Sequence, residues 1–372
     1  VRLIEGMMYP MALPFDPPIE PMLAKVSEGM PTGDWVYEPK WDGFRAVVFK
    51  DGSDVTIYSR DLKPLNRYFP EVEAALADSL PKACVLDGEI VVPMKEGLDF
   101  DRLLQRIHPA ASRVKMLSET TPASFVAFDL LSEGKKDLRE ARLDTRRARL
   151  EELLANAVHL PGDGPKEDHG DLEDKVIEAL QPSPLVAITP QTADPKIAEF
   201  WFEVFEGAGL DGVIAKKTDQ VYAPGVRAML KIKHHRTADC VVGGYRINKT
   251  NDGVGSLLLG LYDDEGVLQY VGHTSSFKAP ERKKLLADLK KYEGHESFGG
   301  GRTPGGPSRW TGMTGRDASY VPIKPVLACE VRYEHLQNGR FRHAARFQRW
   351  RPDKPPEECR FDQIMPRGRT RS

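Results

Sequence analysis

The sequence predicts an α+β protein in two domains: antiparallel sheets with flanking helices first, then a small β-barrel. Three observations carry that expectation. Short β-rich runs alternate with helix-patterned ones as far as residue 236. Beyond His234-His235-Arg236 the pattern changes to closely spaced strands with one helix among them. Charge changes at the same place: residues 1–236 hold 30 Lys+Arg against 39 Asp+Glu, and residues 237–372 hold 23 against 16. A net charge of -2 therefore hides halves of about -9 and +7. The expected organisation is an N-terminal extension over 1–20, a first domain over 21–236, a second over 237–356 and a basic tail over 357–372.

Trp35–Lys40, Phe44–Phe49 and Val55–Ser59 are expected strands, rich in β-branched and aromatic residues, the last two joined by the turn Lys50-Asp51-Gly52. Tyr68–Leu80 has helical spacing, and Cys84–Val92, Ser124–Leu131 and Gly212–Lys217 are further strands. Between them, Leu138–Ala157 (rich in Arg, Leu and Glu) and Ile197–Gly207 (aromatic on one side) are expected helices. Leu160–Pro184 is charged and broken by Pro and Gly, so its first part is expected as an exposed loop. In the second half, Asp239–Asn248, Gly255–Tyr262, Val267–Gly272, Leu327–His335 and Phe341–Phe347 are expected strands, with a helix at Pro280–Tyr292. Five strands with a helix between the third and fourth suggest an oligonucleotide-binding (OB) barrel. The Gly- and Pro-rich Gly299–Ser308 would be a mobile loop on it.

Composition excludes several classes. The 372 residues are 40% hydrophobic and 29% charged, as in ordinary soluble globular proteins. No apolar run is long enough to span a bilayer. Val1–Glu20 is rich in Pro and Met, contains acids, and lacks the succession of a signal peptide. Cys84, Cys240, Cys329 and Cys359 are scattered, which suggests neither a disulfide framework nor a zinc site and fits a reducing cytoplasm. Six arginines between Arg332 and Arg351 are the densest part of the basic half. They point to a polyanionic partner, although a solvated surface would carry the same charge.

The segment with most chemistry is Glu38-Pro39-Lys40-Trp41-Asp42-Gly43-Phe44-Arg45. It puts a lysine at a strand end, an acid two residues before it, then an Asp-Gly turn and an arginine. A lysine amine becomes a good nucleophile when its surroundings remove its proton, and an arginine fork suits phosphate. Alone, the segment is equally a charged hairpin turn. Other strand ends repeat the theme: Leu86-Asp87-Gly88-Glu89-Ile90, Phe128-Asp129, Leu210-Asp211-Gly212-Val213-Ile214-Ala215-Lys216 and Leu230-Lys231-Ile232-Lys233. Alternation on a strand puts Lys231 and Lys233 on one face.

Taken together, Lys40–Arg45, Ser59-Arg60, Asp87-Gly88-Glu89, Phe128-Asp129, Asp211–Lys216, Lys231-Ile232-Lys233 and the late Arg346-Phe347-Gln348-Arg349-Trp350-Arg351-Pro352-Asp353-Lys354 resemble the covalent nucleotidyltransferases. These are the ATP-dependent DNA ligases, RNA ligases and mRNA capping enzymes. The resemblance runs from about Pro21 to Pro356 and looks most like bacterial ATP-dependent DNA ligases of the ligase C type, related to the ligase module of ligase D. It implies a nucleotidyltransferase (adenylation) domain followed by an OB-fold domain. It also implies a reaction in three steps: Lys40 takes AMP from ATP, AMP passes to a DNA 5′-phosphate, and a 3′-hydroxyl displaces it to seal the nick.

The same resemblance implies the roles. Lys231 and Lys233 would bind the α-phosphate and favour the neutral Lys40 amine by like-charge repulsion. Arg45 and Arg60 would hold ribose and the DNA 5′-phosphate. Phe128 would stack on adenine, and Glu38 would read its edge. Glu89 would hold ribose and, with Asp211, position Mg²⁺ or Mn²⁺. Asp353 and Lys354 would orient the departing pyrophosphate, with Arg349 a further nucleotide contact, as the domains close about a hinge at His235–Ala238.

Two positions depart from the family pattern. Asp211 stands where glutamate is usual, and Met229 where an aromatic is common. An RNA ligase or a GTP-dependent capping guanylyltransferase would use Lys40 identically. A non-catalytic DNA-binding relative would keep the barrel without the chemistry. The partner implied is nicked double-stranded DNA, met by a monomer without membrane attachment in the bacterial cytoplasm, near the nucleoid, in DNA repair. No appended polymerase or nuclease domain is recognisable.

Overall fold

The computed structural model describes residues 2–4, 7–9, 12–95, 97–162, 164, 171–181, 183–205, 209–233, 236–248, 250, 252–294, 297–299, 319–334, 336–337 and 339–364. The chain divides into two compact units, Val1–His234 and His235–Ser372.

Among its described residues the first unit holds two large sheets, beside the two-stranded pairs Arg2–Ile4 with Met7–Tyr9 and Pro93–Met94 with Gly97–Leu98. In the larger, strands Val158–His159, Val186–Ile188, Ser124–Glu133, Ala83–Val91, Phe44–Asp51 and Asp54–Ser59 follow one another in that order, with Lys136–Asp137 pairing beside Ser124–Glu133. The smaller sheet runs Leu23–Ser27, Arg227–Ile232, Val213–Lys217, Trp35–Pro39. Most pairings are antiparallel, as expected. Leu23–Ser27, Val158–His159 and Val186–Ile188 add parallel pairings at the margins, so the sheets are mixed. These three strands have no alternating pattern to announce them; partners far away in sequence recruit them.

Ser124–Glu133 is buried on both faces along nearly its whole length, which is why it reads as one apolar run. One side of the large sheet packs on helix Pro70–Ser79 through Phe69, Val72 and Leu76, and on helix Leu143–Leu153 through Leu150. Both helices are shorter than the sequence suggested. Pro70 sits at the first helical position and opens the earlier one. The start of the later one is taken by the Lys136–Asp137 strand and by Arg139 bonding back to Asp137. The expected Ile197–Gly207 helix spans Pro195–Val204; residues 206 and 207 lie outside the described residues. Helices Phe100–Gln105 and Ala111–Thr120 occupy a stretch for which the sequence carried no expectation. Within 160–184, helix Asp171–Ala179 buries Val176 and Ile177, while 163 and 165–170 lie outside the described residues.

In the second unit five strands run Leu268–Thr274, Val254–Tyr262, Arg236–Ile247, Ala328–Tyr333, Arg346–Trp350, with Val321–Pro322 pairing beside Arg236–Ile247. Helix Ala279–Leu289 lies in sequence between the third and fourth of the long strands. Among the described residues the outer strands share one parallel bridge, Thr274 with Ala345, where the Ala345 N–H donates to the His273 carbonyl at 2.9 Å, and one side-chain bond, from the Phe347 N–H to Thr274 Oγ1 at 3.1 Å. The barrel is therefore partly open rather than closed by a full ladder. The strand expected at Phe341–Phe347 is split: Arg340–Phe341 pairs with Leu336–Gln337, with Phe341 buried and stacked on Tyr333 at 4.8 Å, and Arg346–Trp350 pairs with Ala328–Tyr333. Of the Gly299–Ser308 loop, 300–308 lie outside the described residues, as do His235 of the expected hinge and 365–372 of the tail. Arg236, Thr237 and Ala238 already pair in the first strand of this unit.

Candidate active site

Strand Trp35–Pro39 ends beside Val213–Lys217, and the loops that leave them are stitched together. The Lys40 N–H donates to the Gly212 carbonyl at 2.9 Å, and the Asp211 N–H donates to the Lys40 carbonyl at 2.8 Å. Gly212 has φ +103°, and a Cβ there would lie 2.1 Å from the Ile232 carbonyl oxygen, so only glycine permits this approach. The outcome is an ionic chain: Lys40 Nζ is 2.6 Å, and Lys233 Nζ 2.9 Å, from the same Asp211 oxygen. The sequence led us to expect cations as the main influence on Lys40; the tertiary structure gives it an anionic partner as well.

Arg45 and Glu89 face each other across paired strands. Gly43 admits them, since a Cβ at that position would sit 2.2 Å from the Ile90 carbonyl and 2.8 Å from Glu89 Cγ. Arg45 Nε and Nη2 each lie 2.6 Å from the fully buried Asp87 carboxylate. Burial opposes the Arg45 charge, but Asp87 outweighs it and holds the guanidinium above its usual range. Burial acts without full compensation on Glu89, whose carboxyl is pushed up to about 7 although Arg45 and Lys40 pull it down.

Phe128 reaches the site through an irregularity. Ala127 pairs with Gly88 and Asp129 with Asp87, so Phe128 is the extra residue of a β-bulge. Its ring lies under the Arg45 guanidinium at 4.3 Å and the Lys216 amine at 4.9 Å. The bulge leaves Asp129 to a buried bidentate pair with Arg146, at 2.7 and 3.0 Å. Glu38, 3% exposed, is held by Lys216 at 2.7 Å and by the Gln191 amide, which donates at 2.8 Å.

Glu38, Lys40, Arg45, Arg60, Glu89, Phe128 and Lys231 all line one cavity of about 230 Å³ in the first unit, with Lys216, Met229 and Arg227. Lys233 and Asp211 join it through Lys40. Sequence reasoning gave no role to Lys216, Gln191 or Asp87, although Lys216 and Asp87 lay inside quoted motifs. Gln191 carried no signal.

In the second unit, Asp353 and Lys354 line a separate cavity of about 340 Å³ with Trp350, Arg351 and Pro355. Arg349 points elsewhere and pairs with Glu330 at 2.7 Å. The arginine bound to Asp353 is Arg351, whose fork grips Asp239 at 2.7 and 2.9 Å and Asp353 at 2.9 Å. Hydrogen bonding to Arg351 lowers the Asp353 carboxyl below the usual range. Lys354 pairs with Glu358 at 3.0 Å. No helix among the described residues is long and apolar enough to cross a membrane.

Residues 20–233 match the ATP dependent DNA ligase domain family, and 250–354 match the ATP dependent DNA ligase C terminal region. DNA ligase C1 of Mycolicibacterium smegmatis is 49% identical, over 95% of this chain and 96% of its own length. The multifunctional end-joining DNA repair protein LigD of Mycobacterium tuberculosis is 32% identical over 91% of this chain, which corresponds to 39% of that larger protein. A solved Lig E DNA ligase shares the fold, with a TM-score of 0.54 and 18% identity over 89% of this chain and 99% of that one.

Proposed function

The chain belongs to the ATP-dependent DNA ligases, and from that premise we propose that it seals 5′-phosphate/3′-hydroxyl nicks in double-stranded DNA through AMP carried on Lys40. The observation that carries the reading is the convergence of Lys40, Glu38, Arg45, Glu89, Phe128 and Lys231 on one cavity. Each step is an in-line displacement at phosphorus, so positioning and charge neutralisation carry the catalysis.

Lys40 Nζ attacks the α-phosphorus and pyrophosphate leaves. Asp211, 2.6 Å from that nitrogen, accepts its proton. Lys231 and Lys233 neutralise the α-phosphate, Phe128 stacks on adenine and Glu38 accepts from its edge, while Arg45, Arg60 and Glu89 hold ribose and the DNA 5′-phosphate. Asp353 and Lys354, held through Arg351 and Glu358, orient pyrophosphate, and Arg349 would contact the nucleotide only on leaving Glu330. Movement near residues 235–238 would bring that element to bear for the first step and withdraw it for the others.

Glu89 and Asp211 are hard oxygen donors around Lys40. They would hold Mg²⁺ or Mn²⁺, because carboxylate oxygens suit hard cations; among the described residues no group of three or more His, Cys, Asp or Glu could hold an ion. When bound, the ion neutralises charge growing on the phosphate. A repair role follows from likeness to LigD. Four buried, free cysteines favour a reducing cytoplasm, and a monomer suffices for this site.

The test is to incubate the protein with Mg²⁺ and α-labelled ATP or GTP, denature it, and look for retained label. ATP label abolished by Lys40→Ala is expected. Absence of an adduct with either nucleotide would overturn the reading, and label from GTP alone would make it a guanylyltransferase.

A further inference from the structure

Tyr222 belongs to none of the motifs above, yet its hydroxyl ends the chain of contacts that holds Arg45. The side chain is 2% exposed and packs among Met22, Val85, Leu131 and Met229. Its O–H donates to Asp87 Oδ2 at 2.6 Å and accepts the Met22 N–H at 3.0 Å. Asp87 in turn receives two bonds from Arg45. A buried carboxylate meeting a two-pronged guanidinium can still rock about its own side-chain torsions. A third donor, on the Oδ2 that also receives Arg45 Nη2, reduces that freedom.

We propose that Tyr222 is a positioning residue for nucleotide binding: by fixing Asp87 it sets the angle at which Arg45 presents its remaining nitrogen to the cavity. Arg45 donates from Nε and Nη2 to Asp87 and from Nη2 to the Met22 carbonyl at 3.4 Å, and it lines the cavity while lying over the Phe128 ring. Arg45 is thus constrained on two sides, by Phe128 below its plane and by Asp87 along its edge. Burial and the neighbouring Asp87 charge push the Tyr222 hydroxyl well above its usual range, so it remains a donor at every working pH. The inference rests on the reading of this cavity as the ATP site.

The experiment measures ATP binding by calorimetry on a Lys40→Ala chain, which cannot form the adduct, with and without Tyr222→Phe. Loss of one hydrogen bond to a charged group should weaken ATP about tenfold. In a chain that also carries Arg45→Ala, Tyr222→Phe should then change affinity less than twofold, because its effect passes through Arg45. Unchanged affinity in the first comparison, or a full tenfold loss in the second, overturns the proposal. A merely structural role would lower the melting temperature and the binding-competent fraction, leaving the affinity of the remainder intact. Should Tyr222→Phe not fold, Asp87→Asn provides the same two comparisons. If Lys40→Ala binds ATP but the parent chain forms no adduct, the ligase reading fails while the Tyr222 result still stands. If Lys40→Ala does not bind ATP, both fail.

Discussion

The two cavities use charge in opposite ways. Around the first, Asp87, Glu38 and Lys216 are almost entirely buried, and each has a close partner of opposite sign. Around the second, Asp353 is 61% and Glu358 59% exposed, and their partners Arg351 and Lys354 reach solvent. A buried ion is costly to leave unpaired, so the first set is locked before any ligand arrives. An exposed pair in water is worth little and exchanges partners easily. The difference teaches a division of labour: the locked set suits a fixed nucleotide pocket, and the loose set suits groups that must engage and release.

The largest effect should come from breaking the locked set. Glu38→Ala strands Lys216, 2% exposed, in the interior, and should destabilise the first unit by about 3 kcal/mol or more. Urea denaturation would register this as a lower midpoint with little change in slope. An unchanged midpoint would mean that Lys216 finds another anion or reaches water, and the contrast between the cavities would weaken.

Acidity offers an intermediate test. Glu89 rises from 4.5 to about 7 on folding, so between those values the folded chain binds more protons than the unfolded one. Stability should therefore fall as pH rises from about 4.5 to about 7 and level off above it. Glu89→Gln should flatten that segment of the profile. A parent profile already flat there would show that Glu89 is better solvated than its burial suggests.

The smallest effect on stability belongs to the loose set. Asp353→Ala should leave the melting temperature within scan error. It should nonetheless slow lysine–AMP formation about tenfold, and slow sealing of a pre-adenylated nick less. A large drop in melting temperature would put Asp353 among the locked charges; equal slowing of both reactions would count against a pyrophosphate-orienting role for it.

By itself the sequence determined the fold class, most strands, and many of the residue types that line the cavity of the first unit. Strands at Trp35–Pro39, Phe44–Asp51 and Val254–Tyr262 were legible because local β-pattern and long-range pairing agree there. Lys40, Glu89 and Lys231 were singled out because runs of acid, glycine and lysine at strand ends together resemble one enzyme family's motifs, and all three line the same cavity. Tertiary structure alone decided the contacts. Phe128 enters the cavity through a bulge created by mismatched registers of two strands, which neither strand encodes alone. Asp211 meets Lys40 across 171 positions of sequence, and Tyr222 meets Asp87 across 135. Periodicity reports which face of an element is buried; it carries no information about which buried polar groups will find each other. That pairing is settled only when whole sheets pack and each interior charge must be satisfied.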